Sequence, residues 1–292
     1  MLDSLSVMLI GMLITALISS NGQSSMAAVA LVGLVTNLVV CMFNGIGAGG
    51  TVIVAQCCGT GDRQRTARAC AQVIWLTVII GVASCLPLLI FPDAVLLALY
   101  PDAEAEVLRK ASIYLTGSTW SILAFVVYTA MYSVLRGLGE SQKCLILSVI
   151  INAAYLIFSI VFLNVLKLDI QGSVYALILA RILGALCAIA LLFFIHPPIS
   201  MPPKQLFSFD RQLVGSTLRV SVPLGLEQIF STCGSIVAGM FMVQLGTSAV
   251  AVNAISNSLL SVLYAAATSA ATLAVTLVGR CIGAERQEEA RR

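Results

Sequence analysis

The chain runs through eight mainly apolar stretches separated by short polar turns. They cover residues 4–19, 26–56, 70–91, 111–135, 144–166, 173–195, 213–245 and 248–279. A helix needs about 20 such residues to cross the hydrocarbon core of a bilayer. No water is available there to the backbone, so each stretch must satisfy its own amides and carbonyls, which makes them helices. A β-barrel would show alternating segments of about ten residues instead, and these runs are too long and too uniformly apolar. Composition agrees. Charged residues make up 10% of the 292 and hydrophobic ones 59%, whereas a soluble domain carries about 25% charged. Sixteen basic and thirteen acidic residues cannot cover a globule of this size, so lipid must solvate much of the exterior. The reading is an all-α membrane protein, a polytopic helical bundle. The first stretch has no basic lead before it, so it is read as a span and not as a cleavable signal.

The turns carry their charge unevenly. Arg63, Arg65 and Arg68 follow span two, and Arg136 and Lys143 follow span four. Lys204, Arg211 and Arg219 stand between spans six and seven, and Arg280, Arg286, Arg291 and Arg292 follow span eight. The opposite side holds only Arg109, Lys110 and Lys167, with Asp93, Asp102, Glu104 and Glu106 in the 92–106 loop. The positive-inside rule then puts the N-terminus and the ends of the even-numbered spans in the cytoplasm, as expected for a multi-pass protein of the bacterial inner membrane. A net charge of +3, spread in short separate groups, offers no face for nucleic acid.

Catalytic and metal chemistry have little to build on. The nine cysteines form no CxxC pair, the only histidine is His196, and no paired acids lie inside a span. The chain reads as neither an enzyme nor the holder of a cofactor or resident metal. Its cysteines read as small buried hydrophobes.

An internal echo organises the spans. Span two opens near Ala28-Val29-Ala30, ends on Val54-Ala55-Gln56-Cys57-Cys58-Gly59-Thr60-Gly61-Asp62 and passes into an arginine-rich segment. Span eight opens near Ala251-Val252-Asn253-Ala254, ends on Val278-Gly279-Arg280-Cys281-Ile282-Gly283-Ala284-Glu285 and passes into Arg286-Gln287-Glu288-Glu289-Ala290-Arg291. A repeat in the same orientation six spans on implies two six-helix lobes related by an axis along the membrane normal. The first lobe, 1–195, would be nearly complete. A cytoplasmic loop, 196–212, would lead to a second lobe, 213–292, that stops after two helices.

Seven motifs in order then give a family resemblance. They are Ala27-Ala28-Val29 with Gly45-Ile46-Gly47-Ala48-Gly49-Gly50; Val54-Ala55-Gln56 through Gly61-Asp62; Leu135-Arg136-Gly137-Leu138-Gly139-Glu140; Ile151-Asn152; Gly172-Ser173-Val174-Tyr175-Ala176; Val222-Pro223-Leu224-Gly225-Leu226-Glu227-Gln228; and Leu277-Val278-Gly279-Arg280-Cys281-Ile282-Gly283-Ala284. Together they resemble the multidrug and toxic compound extrusion (MATE) family. That resemblance implies a secondary active antiporter of twelve helices, of which this chain holds about eight. It would export organic cations or other amphipathic drugs by alternating access, driven by inward flow of sodium ions or protons. It also implies a protein that works as a monomer when complete.

Ionisable groups are costly inside a bilayer and mark ion or substrate paths. Glu227 lies in the first half of span seven, one turn after Pro223, which frees a backbone carbonyl. It is the leading candidate to carry the coupling ion, and the family has an acid in this motif. Arg181, in span six just past its middle, is expected to snorkel toward the cytoplasm as a packing anchor. Among the amides, Asn152 matches a family position and joins Glu227 as a coupling candidate, with a transient sodium ion possible at Glu227. Asn37 and Asn44, seven apart on one face of span two, together with Gln228, Asn257 and Tyr264, are candidate cavity-lining residues. Relatives with a first-lobe cation site tend to carry Asp where this chain has Ile14 and Leu156, which moves coupling to the second lobe. The glycine run 45–50 has no preceding strand or following lysine, so it serves close helix approach and not a nucleotide. Aromatic and Met side chains such as Phe43, Tyr128, Met131 and Tyr132 are candidates to line a promiscuous cavity. Two alternatives remain open. One is a flippase for lipid-linked saccharides of the same superfamily, which needs several basic groups in the first-lobe cavity, where Arg181 is the only one evident. The other is an inactive incomplete fragment.

Overall fold

A computed structural model describes residues 23–99, 105–166, 169–194, 210–244 and 247–286. Span one at 4–19, with Ile14, and the loop residues His196 and Lys204 lie outside the described residues. So do Lys167, Arg291 and Arg292. The described residues form eight α-helices and one π-turn: α1 Gln23–Gly59, α2 Arg63–Ile90, α3 Pro92–Leu99, α4 Ala105–Gly137, α5 Ser141–Ile160, the π-turn Val161–Val165, α6 Asp169–Phe193, α7 Arg211–Gln244 and α8 Thr247–Gly283. Six stretches within them are long and apolar enough to cross a membrane: Leu31–Gly59, Arg63–Ile90, Val107–Gly137, Ser141–Leu163, Gln171–Phe193 and Ala266–Gly283. The molecule is a polytopic α-helical bundle.

Local chemistry sets the breaks between helices. The arginines after span two are not a loop, as expected from the hydropathy, but the first two turns of α2. Gly61 takes a left-handed backbone (φ 75°), and Asp62 Oδ1 then accepts the amides of Gln64 at 2.8 Å and Arg65 at 3.1 Å. This N-cap satisfies donors that a helix start leaves orphaned, so the helix begins at once. At the other end of α2, Pro92 disfavours helix at Phe91 and is itself suited to the first turn of the next one. The expected external loop 92–106 accordingly opens with α3. Span five, expected as one helix to 166, gives way at Val161 to the π-turn.

α4 is the hub of the first six helices. It packs most extensively against α1, α6 and α2, while α5 lies against α6. One apolar cluster, with Val54, Val73, Val134, Leu135 and Leu147 fully buried, fills the half of the bundle at the α1–α2 turn; a second, with Val32, Phe43, Leu115, Ile122 and Val126, fills the other half.

The echo in the sequence is matched in three dimensions. α1 and α8 are both 37 residues long, and the alignment of Gly59 with Gly283 also aligns their first residues. Both end in a left-handed residue two positions later, Gly61 and Glu285. The two helix ends meet each other. A Cβ on Gly59 would strike the backbone of Arg280, one on Gly283 would strike the backbone of Gln56, and one on Gly279 would come 2.9 Å from Ala55 Cβ. The repeat exchanges these pairs, Gln56 with Arg280 and Gly59 with Gly283, as a contact between copies related by a two-fold must do. α7 lies along α1 through a second row of small residues, Gly225 on Gly45 and Ser221 on Gly49. Ser221 Oγ donates to the Ile46 carbonyl at 3.3 Å, and Cys41 Sγ lies 3.5 Å from Thr232 Oγ1. Small residues let backbones approach closely where lipid gives helices no hydrophobic reason to associate.

Candidate functional site

A cavity of about 520 Å³ opens among α1, α4, α5 and α6. One face of α4 builds its main wall. Phe125, Tyr128, Tyr132 and Arg136 recur at helical spacing, so their side chains stack one above another. The Phe125 and Tyr128 rings stack at 5.6 Å, as do Tyr128 and Tyr132. Arg136 closes one end of this ladder, its guanidinium 4.8 Å over the Tyr132 ring and donating to the Tyr132 hydroxyl at 3.2 Å. Arg181, on α6, closes the other end. It sits 4.5 Å over Phe125, and Nη1 donates to Ser121 Oγ at 3.0 Å. Cation–π contacts of this kind gain strength where water is scarce.

Arg181 therefore does not snorkel. Ser121 and Phe125 lie midway along α4, and these contacts hold the guanidinium at that depth. Arg136 is the residue the sequence reading missed. It was counted as a turn cation, yet it belongs to the last turn of α4 and lines the same cavity. The i, i+4, i+8 spacing of Tyr128, Tyr132 and Arg136 was the available signal.

The opposite wall carries Asn44 from α1 and Ser148, Asn152 and Tyr155 from α5. Asn152 Nδ2 donates to the Ser148 carbonyl at 2.8 Å and to Ser148 Oγ at 3.3 Å, which turns the amide back along its own helix. The other sequence candidates fall elsewhere. Asn37 is exposed on α1 and is not among the lining residues. Glu227 and Gln228 are exposed on α7. Gly225 faces α1, and Glu227, two residues on, is rotated by about 200° from it, so it points away from α1. Tyr264 is exposed on α8, and the side chain of Asn257 lies outside the described residues. Tyr128 and Tyr132 line the cavity as expected, whereas Phe43 and Met131 are core. The structure thus brings Asn44 and Asn152 together and does not bring Glu227 to them.

A second cavity, about 660 Å³, lies between α4–α5 and α8. Tyr132 and Arg136 line both cavities, and Arg280 joins them in the second. The Arg280 guanidinium donates to the Leu138 carbonyl and lies against Gly139, whose left-handed backbone (φ 75°) ends α4. Among the described residues no cluster of His, Cys, Asp or Glu could hold a metal ion.

A helical bundle of this kind has counterparts among known proteins. The family model MatE matches residues 1–165 and 223–292. The chain belongs to the MatE family. A probable multidrug resistance protein NorM from Thermotoga maritima is 25% identical over 289 residues, which is 96% of this chain and 61% of that protein. Among solved structures, a MOP superfamily transporter from Pyrococcus furiosus, described as having a binding pocket of reverse polarity that suggests a different function, superposes with a TM-score of 0.87 at 21% identity. It covers 99% of this chain and 64% of that one. A multidrug resistance MATE family transporter in an outward-facing conformation superposes with a TM-score of 0.86 at 20% identity, over all of this chain and 64% of that one. These likenesses give the fold. The chain spans less than two thirds of the length of these relatives. The MatE family is one of membrane transporters and not of enzymes, and this member is a multi-pass membrane protein.

Proposed function

We propose that the chain carries the first lobe (1–195), the connecting loop (196–212) and the opening of the second lobe (213–292) of a secondary active exporter. It moves amphipathic drugs, organic cations among them, by alternating access in a bacterial inner membrane, with its N-terminus in the cytoplasm and as a monomer. The observation that carries this reading is the contact of α1 with α7 and α8, made through glycines at Gly45, Gly49, Gly59, Gly279 and Gly283 beside a drug-sized cavity. Small residues let these backbones approach closely, and alternating access in such transporters is the rocking of one repeat against the other about contacts between them.

In this reading inward flow of sodium ions or protons drives export, and Glu227 carries the coupling ion. Its exposed position on the far side of α7 leaves it open to the rest of a second lobe. Asn152 has a weaker claim, because its amide already bonds along α5. The test is efflux of a dye cation from liposomes holding a twelve-helix chain that carries this sequence. Glu227→Gln is expected to abolish gradient-driven efflux while leaving dye binding in place. Full efflux by that variant under both sodium and proton gradients would sink the coupling assignment.

The flippase reading gains one observation, because Arg136 and Arg181 share the first-lobe cavity where one basic group had been expected. Movement of a fluorescent polyprenyl diphosphate between leaflets, without dye efflux, would favour it.

A further inference from the structure

We infer that the first-lobe cavity is an anion site, which binds amphipathic compounds by a carboxylate, sulfonate or phosphate group at Arg181 and Arg136 and by a flat apolar body along Phe125, Tyr128 and Tyr132. The inference rests on the exporter reading for its biological sense, since it adds amphipathic anions, held in the first lobe, to the compounds that exporter moves.

The charge balance carries the argument. Two guanidinium groups line the cavity, and the described lining contains no carboxylate. None can come from elsewhere within the lobe's spans. The acids among residues 1–195 are Asp3, Asp62, Asp93, Asp102, Glu104, Glu106, Glu140 and Asp169, all at or beyond span ends, and span one has no charged residue at all. Glu140 is the acid nearest Arg136 in sequence, and its Oε2 is engaged by Lys143 Nζ at 3.6 Å. An unbalanced cation away from water is costly, and a bound anion offsets that cost.

Donor geometry points the same way. A guanidinium has five N–H donors in a planar fork suited to two-oxygen anions. Arg181 gives one hydrogen bond to Ser121 and Arg136 one to Tyr132. Both arginines line a cavity of about 520 Å³, a volume that suits a drug-sized molecule. Between the two cations the aromatic rungs from Phe125 to Tyr132 span about 10 Å along the axis at 1.5 Å per residue, enough for a fused aromatic system. Arg136 also faces the cavity shared with Arg280, so basic groups line the way from the cytoplasmic contact into this site.

The experiment uses the 292-residue chain in lipid nanodiscs. It measures equilibrium binding of 1-naphthalenesulfonate and of 1-naphthyl-trimethylammonium, which share an aromatic body and differ in charge, against empty nanodiscs. No gradient or transport is needed, so failure here leaves the exporter reading to the efflux assay, and failure of efflux leaves this result standing. The sulfonate is expected to bind at least about tenfold tighter than the ammonium. Arg181→Gln is expected to weaken the sulfonate by about tenfold or more, as loss of a charge-assisted hydrogen bond does. The ammonium should bind that variant no worse, and Arg181→Lys should recover part of the sulfonate affinity. Should Arg181→Gln lose its helical circular dichroism, Arg136→Gln, at the helix end, is expected to move the two ligands in the same directions. Doping the nanodiscs with a polyprenyl phosphate separates the sources of the anion. Displacement of the sulfonate supports a lipid head group, and retention supports a soluble organic anion. Ammonium binding as tight as sulfonate, no binding of either, or equal loss of both in the arginine variants would overturn the inference.

Discussion

The contact between Gly45 and Gly225 allows one substitution chemistry to be tried twice with opposite results. A Cβ built on Gly45 would run into Gly225 Cα and lie 2.7 Å from its amide nitrogen, against an ordinary contact of about 3.5–4.0 Å. Those atoms are backbone in the middle of α7 and cannot rotate aside, so the helices must separate. Forced overpacking of this kind costs about 1–3 kcal/mol. A Cβ on Gly225 meets the Met42 carbonyl oxygen at 3.8 Å and Gly45 Cα at 4.0 Å, which is normal packing. There the only change is the gain of up to about 1 kcal/mol from replacing Gly by Ala inside a helix. Thermal unfolding of the purified chain in detergent reads the difference, at about 2–4 °C per kcal/mol for a chain of this order of size. Gly45→Ala is expected to lower the midpoint by several degrees, and Gly225→Ala to leave it unchanged or raise it slightly. The reasoning fails if Gly225→Ala destabilises as much as Gly45→Ala, or if Gly45→Ala is neutral.

Two further substitutions test the helix ends. Glu285 holds a left-handed backbone (φ 60°) where the repeat has Gly61, so Glu285→Gly is expected to stabilise by about 1 kcal/mol, seen as a higher midpoint in the same melts. Asp62→Ala removes the cap on α2 and is expected to cost about 1 kcal/mol, with hydrogen exchange rising at the Gln64 and Arg65 amides and not at the far end of that helix.

Much of this molecule is set by residues acting on near neighbours. Hydropathy marks the apolar runs, because backbone in lipid must bond to itself within each segment, while helix ends fall elsewhere, at Arg63 for α2 and at Ile160 for α5. Gly61, Asp62, Pro92 and Gly139 fix where helices stop and start. The repeat, legible in two glycine turns, fixes that α1 and α8 have equal lengths and meet as equivalents. The rotation of each helix about its axis is different in kind. In hydrocarbon no apolar stripe tells one face from another, so rotation is decided by which small side chains let two backbones approach. The sequence could therefore nominate Glu227 and Asn152 for the coupling ion and Asn44 and Asn37 for a cavity, whereas the packing turned Asn44 and Asn152 into one cavity and Glu227 away from α1. It also brought Arg136 and Arg181, 45 positions apart on two helices, to the ends of a single aromatic ladder. The apolar runs were the sequence's to determine, and the sign of charge in the cavity among α1, α4, α5 and α6 belonged to the tertiary structure.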